Sequence, residues 1–285
     1  MNKNGSKNPV GIMQGRLSPS LNGKIQFFPW KTWENEFAIA ASLGLSEIEF
    51  IFDHEDYPLN PIFGSSGVDK IKRLIDDTGV KVNFICADYF MEKPFFHNSR
   101  PANLSNVKML NHLIYQASKI NAKGIEIPLV DNSSIKTGPD RDLLIGELSK
   151  CLDFAERFNI QIGLETDLSP KDFKELLQAF SHPLIKANYD VGNSASSGYD
   201  VEEEFNQYGT LINNIHIKDR LLKGGTVPLG TGSAHFDKFF DMTRKVGYKG
   251  SYIFQTARGS DEIETVKNNM AFIEKHLKQE QIKWT

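Results

Sequence analysis

Cysteine is nearly missing: the 285 residues include two, Cys86 and Cys151. That is too few for a disulfide framework and fits a chain that works in a reducing compartment. No apolar run reaches the length of a membrane-spanning helix, and Met1-Asn2-Lys3-Asn4-Gly5-Ser6-Lys7 lacks the apolar stretch of a secretory signal. An excess of one charge is also lacking. Lys and Arg number 33 against 36 Asp and Glu, a net charge of −3. Such a balance supplies no basic field for nucleic acid or for an anionic membrane. Charge blocks, low-complexity tracts and repeats of solenoid period are absent too. These absences lead us to expect a cytoplasmic protein whose partners are neither nucleic acid nor membrane.

What is present is ordinary globular composition, 40% hydrophobic and 24% charged. Short apolar runs recur at residues 10–13, 47–52, 81–87, 124–130, 161–165, 185–190, 213–217 and 250–255. Their near-continuous apolarity is that of strands buried on both faces. Helical periodicity fills the intervals. Trp33 to Leu43 stops at Gly44, Val68 to Ile75 stops at Gly79, and Pro170 to Phe180 opens after Ser169 as N-cap. Glu202, Glu203 and Glu204, after Asp200, suit the first turn of another helix. Eight strand–helix units in this length imply an α/β fold, a single (β/α)8 TIM-barrel domain over residues 1–285, with residues 1–8 a flexible extension. The rival, a doubly wound open sheet, wants a glycine-rich phosphate turn after the first strand. Gly11-Ile12-Met13-Gln14-Gly15-Arg16 matches it poorly.

In a barrel, the C-terminal ends of the strands carry the chemistry. The fifth run ends in Glu165, the sixth in Asp190, the seventh holds His216, and the eighth ends in Gln255. Alternation along a strand lets all four point into the barrel mouth. Two carboxylates, an imidazole and an amide oxygen suit a divalent ion, and do not choose among Mn²⁺, Mg²⁺, Co²⁺ and Zn²⁺.

Three stretches, Glu165-Thr166, Tyr189-Asp190-Val191-Gly192-Asn193 and His216-Ile217-Lys218-Asp219, resemble signatures of the xylose isomerase-like barrel family. That group includes sugar-phosphate isomerases and epimerases, ketose 3-epimerases, inosose dehydratase, hydroxypyruvate isomerase and endonuclease IV. The resemblance starts at Gly11-Ile12-Met13-Gln14-Gly15-Arg16 and spans nearly the whole chain. It implies that Glu165, Asp190 and His216 are metal ligands, that Asp219 supports them from behind, and that a small sugar or sugar phosphate is the substrate. The endonuclease branch wants several metals, many histidine ligands and a basic groove. Seven histidines, mostly away from strand exits, and a net charge of −3 disfavour it.

Cations also sit at or beyond the exits. Lys218 and Arg258 join Glu165 as candidate catalytic residues, and Arg16, Glu49, Glu126, Asn193 and Arg220 are candidate substrate contacts. Residues 223–233 form a glycine-bearing loop after the seventh strand, where barrels often bind phosphate, although a plain structural turn is the simpler reading. Phe27-Phe28-Pro29-Trp30 with Trp33, and Tyr89-Phe90 with Phe95-Phe96-His97, would form a wall against a sugar, a homo-oligomer interface or ordinary core.

The fourth ligand departs from the family pattern. Epimerases of this family carry glutamate at the eighth strand and use it with the fifth-strand glutamate to move a proton across a ketose. Gln255 can offer an oxygen to a metal but cannot act as a base near neutral pH. Three outcomes stay open. Glu165 is the single base of an isomerase or of a dehydratase acting on a polyol; Glu49 or Glu126 replaces the missing base; or a catalytically weakened sugar-binding barrel remains. Restoring the charge with Gln255→Glu should raise divalent-ion affinity. Mn²⁺ titrations of the two proteins check this, and equal affinities would remove Gln255 from the ligand set.

Overall fold

Each of the eight apolar runs becomes a stave of one closed parallel barrel. In the computed structural model, which describes residues 8–96 and 100–278, β1 is Val10–Met13, β2 Glu47–Ile51, β3 Phe84–Cys86 and β4 Gly124–Leu129. They are followed by β5 (Gln161–Thr166), β6 (Ile185–Asp190) and β7 (Ile212–Ile217). Two short strands, β8 (Asp219–Arg220) and β9 (Thr226–Val227), form an antiparallel ribbon above β7. The last stave is β10 (Tyr252–Phe254), and the barrel closes in the order β1-β10-β7-β6-β5-β4-β3-β2. The third run pairs regularly only at its end; Lys81, at its start, makes a lone bridge to Glu47. Of the expected extension, residues 1–7 lie outside the described residues. Asn8 is anchored, its amide donating to the carbonyls of Tyr248 and Gly250 at 3.1 and 2.9 Å.

Local chemistry sets the helix ends. Gly44 and Gly79 adopt φ of +75° and +72°, the left-handed conformation that stops the helices 35–42 and 65–78. The helix Pro170–Phe180 starts as expected, with the Ser169 hydroxyl accepting from the Asp172 amide at 3.2 Å. Asp200 caps the helix Val201–Tyr208 in the same way, and Glu202–Glu204 fill its first turn. Among the described residues no helix is long and apolar enough to cross a membrane.

Strand register decides which residues face inward. Asp190 pairs with His216, His216 with Ile253, Gly11 with both Ile253 and Glu47, and Cys86 with Glu126. The apolar alternates, among them Ile48, Phe50, Ile125, Ile127, Leu164 and Ile215, are buried under the helices and make the main core. Barrel interiors are usually filled by Val, Ile and Leu. Here the inward face carries Glu47, Glu49, Glu126, Glu165, Asn188, Asp190, Asn214 and His216, all buried. Space for them is made by a glycine: a Cβ on Gly11 would lie 2.8 Å from the Glu47 carbonyl oxygen.

The loop after β1 is held by one carboxylate. Glu36, fully buried, accepts from the amides of Gly15 (3.0 Å) and Leu17 (3.2 Å) and from the Ser18 hydroxyl (2.7 Å). Burial pushes its pKa up to about 7 against those hydrogen bonds. Glu36→Ala leaves the Gly15 and Leu17 amides without their acceptor, while the Ser18 hydroxyl keeps Thr32 as a partner, and at about 1–3 kcal/mol per buried unpaired group the loss should total several kcal/mol. Urea denaturation measures it; a loss below about 1 kcal/mol would mean water replaces the carboxylate.

Candidate active site

Three elements bring one imidazole and two carboxylates together at the barrel mouth. Donor atoms of Glu165 on β5, Asp190 on β6 and His216 on β7 all lie within 4.8 Å of one another. His216 Nδ1 is 3.2 Å from Glu165 Oε2 and 3.9 Å from Asp190 Oδ2. On the far side of the ring, Nε2 is 3.1 Å from Glu49 Oε2. Burial alone would lower the pKa of this ring; Glu49 and Glu165 outweigh it and hold the imidazole well above the ordinary histidine range. Glu165 is fixed at both oxygens, by Asn188 Nδ2 at 2.8 Å and Asn193 Nδ2 at 2.6 Å. Asp190 uses Oδ1 to cap the helix Val191–Ser197, accepting from the Asn193 amide at 2.7 Å, and turns Oδ2 to the cluster.

This donor set fits a divalent cation. Two carboxylates and one imidazole nitrogen converge, while the opposite ring nitrogen is occupied by a carboxylate, the arrangement that orients metal-binding histidines. Lys218 stands beside it. Its ammonium donates to Asp190 Oδ2 at 3.2 Å and to Gln255 Oε1 at 3.0 Å, and Gln255 Nε2 donates to Gln26 Oε1 at 3.0 Å. The oxygen of Gln255 therefore meets the carboxylates through Lys218. Gly192 makes this possible, since a Cβ there would lie 2.7 Å from Lys218 Cγ. The cluster opens to a cavity of about 800 Å³, whose walls include Arg16, Glu126, Glu165, Asn193, Lys218, Arg220 and Gln255.

Residues 37–276 match the family model described as xylose isomerase-like TIM barrel. The chain belongs to that family. Among its curated relatives is the putative L-ribulose-5-phosphate 3-epimerase UlaE of Shigella dysenteriae serotype 1 (strain Sd197). It is 23% identical over 242 residues, covering 78% of this chain and 81% of the relative. A solved structure of L-ribulose 3-epimerase superposes with a TM-score of 0.77 at 17% identity, covering 97% of each chain. The IOLI protein, crystallised with a binding zinc atom, gives 0.71 at 15% identity, covering 93% of this chain and 97% of that one.

Within this xylose isomerase-like barrel, several expected site residues stand elsewhere. Glu49 does not line the cavity; it lies beneath His216 and also accepts from Asn214 Nδ2 at 2.8 Å. Asp219, expected behind the ligands, accepts instead from the amides of Gly230 (2.9 Å), Gly232 (2.9 Å) and Ala234 (3.1 Å). The glycine loop thus aims these amides at an internal carboxylate and has no phosphate cradle to offer there. Arg258 donates to the carbonyls of Ile25, Ser18 and Gly15 and covers the Phe27 ring, away from the mouth cavity. A carbonyl lattice of this kind attracts a guanidinium because it offers several acceptors at fork spacing. Arg16 reaches the cavity wall but is bound to Thr256 O at 3.0 Å and Ile25 O at 2.5 Å; burial, with Arg258 adding to it, lowers its pKa to about 9. Arg220 donates to Asn193 Oδ1 at 2.8 Å and lines the cavity.

The aromatic loops are mostly core: Phe28, Trp33, Tyr89, Phe90, Phe95 and Phe96 are buried, Trp30 is partly exposed, and His97 lies outside the described residues. Two functional neighbours were legible and missed. Asn188 and Asn214 sit two residues before Asp190 and His216, on the same inward face. Asp219→Ala should free the loop without opening the barrel. Hydrogen exchange at Gly230, Gly232 and Ala234 should speed up at least tenfold, with the β-strand amides unchanged; protection equal to wild type would mean that other contacts hold the loop.

Proposed function

We propose that the chain is a metal-dependent isomerase or epimerase of a small sugar or sugar phosphate. The observation that carries this reading is the convergence of Glu165, Asp190, His216 and Lys218, with Glu165 and Lys218 lining one open cavity. Membership of the xylose isomerase-like family and the epimerase names of its relatives support it. A divalent ion held by Glu165, Asp190 and His216 would polarise the substrate carbonyl and so acidify the neighbouring C–H.

The chain's own groups then move the proton. Glu165 is the base: two amide donors keep its carboxylate oriented. Lys218, held by Asp190 and Gln255 on the β7–β10 side of the mouth, is the proton donor opposite. It takes over where the family pattern has a glutamate and this chain has Gln255. Arg220 and Lys24, at the cavity wall, receive the hydroxyls or the phosphate of the substrate. The same base–acid pair would also serve a dehydratase, with Lys218 protonating a departing hydroxyl. The presence of one carboxylate base and one ammonium, in place of two carboxylates, favours that as the second reading.

Exchange of substrate α-protons in D₂O tests the proposal. Mn²⁺-loaded protein is incubated with a panel of ketoses and ketose phosphates and followed by proton NMR. Wild type should exchange and then convert at least one of them. Glu165→Gln should lose about 100-fold or more of the exchange, the usual contribution of a positioned base. Lys218→Met should keep exchange and slow product formation. Metal-bound protein that exchanges nothing across the panel would leave a binding barrel and end the enzymatic reading.

A further inference from the structure

A second group of side chains able to hold a metal lies on the other side of the His216 ring, and the proposed activity makes no use of it. Glu49 on β2, Cys86 on β3 and Glu126 on β4 bring one donor atom each to within 4.8 Å of one another, and all three are buried. The register dictates this. Cys86 pairs with Ile51 of β2 and with Glu126 of β4, so neighbouring staves present the three side chains to one interior point. Glu126 is 1% exposed, and neither of its oxygens has a hydrogen-bond partner, although it faces the floor of the mouth cavity. Glu49 spends Oε2 on His216 and Asn214, and its Oε1 is equally without a partner.

Buried carboxylates with no donor and no cation are costly, since each has left water with nothing in exchange. Without an ion, burial forces Glu126 and Cys86 toward their neutral forms. We propose that Glu49, Cys86 and Glu126 form a second divalent-cation site, of thiolate and carboxylate character, separated from the first by the His216 ring. Metal–ligand distances there would be about 2.0–2.3 Å. On binding, the Cys86 proton, otherwise donated to Asp88 Oδ1 at 3.2 Å, leaves to solvent through the cavity, and the thiolate takes the ion. Charge then closes. With one divalent ion at each cluster, the carboxylates of Glu49, Glu126, Glu165 and Asp190, the Cys86 thiolate and the Lys218 ammonium sum to zero. A borderline-soft ion such as Zn²⁺ or Co²⁺ suits a site with sulfur, whereas Mg²⁺ does not.

The site stands independently of the sugar reading, and cobalt tests it without any substrate. Full-length protein is freed of metal and titrated with Co²⁺ under reducing conditions, following bound equivalents and the sulfur-to-cobalt charge-transfer absorption. Two equivalents and a thiolate band are expected. Cys86→Ser should abolish the band, and Glu126→Gln, which keeps the side-chain volume, should reduce binding to one equivalent. Asp190→Asn should weaken the other equivalent and leave the band in place. Cys151 lies outside the cluster, so a band that survives Cys86→Ser would overturn the assignment. One equivalent without a thiolate band would overturn it as well, and so would two equivalents without one.

Discussion

The His216 ring, wholly buried between Glu49 on one side and Glu165 on the other, is the contact on which the barrel's interior depends. An imidazole has two nitrogens on opposite edges, so it can serve two acids at once and separate them. Around it the usual apolar filling of a barrel gives way to asparagines and glutamates. Asn188 and Asn214 donate to those same acids, so the ring and its neighbours form one connected network. A network of this kind is stable only when each member is satisfied. The unpartnered oxygens of Glu49, Glu126, Asn188 and Asn214 mark where it is incomplete.

Three buried or half-buried charges outside the network organise backbone. Glu36 gathers the amides after β1, Asp219 gathers those of the loop after β9, and Arg258 gathers carbonyls from the first loop. Each is a buried or half-buried charge meeting several backbone groups of opposite polarity, which is how a loop keeps a fixed shape without regular structure. Consequently, fewer charges remain free at the mouth than their number along the chain suggests. Lys218 and Arg220 are the cations that both line the cavity and touch the residues around Glu165 and Asp190.

The exchange of a carboxylate for an amide at Gln255 is balanced locally. Lys218 would gain a stronger partner from glutamate; with glutamine it keeps its charge less fully cancelled and leans on Asp190. The mouth is thereby more positive than one built with three carboxylates, which suits an anionic substrate and weakens the hold on a metal ion.

Composition and periodicity along the chain determined the fold class, the order of the eight staves, and the caps at Gly44, Gly79 and Ser169. These depend on local propensity and on burial of alternate residues. The same alternation placed Glu165, Asp190 and His216 on one face. Only the tertiary structure decided what each polar side chain meets. A linear pattern says that Asp219 follows His216 by three residues; it does not say that three loop amides fold back onto Asp219. Nor does it show Arg258 turned to carbonyls, Glu49 beneath the ring, or Cys86 beside Glu126. Those partners come from strands and loops distant in sequence, and barrel closure, which sets register and side-chain direction together, brings them into contact.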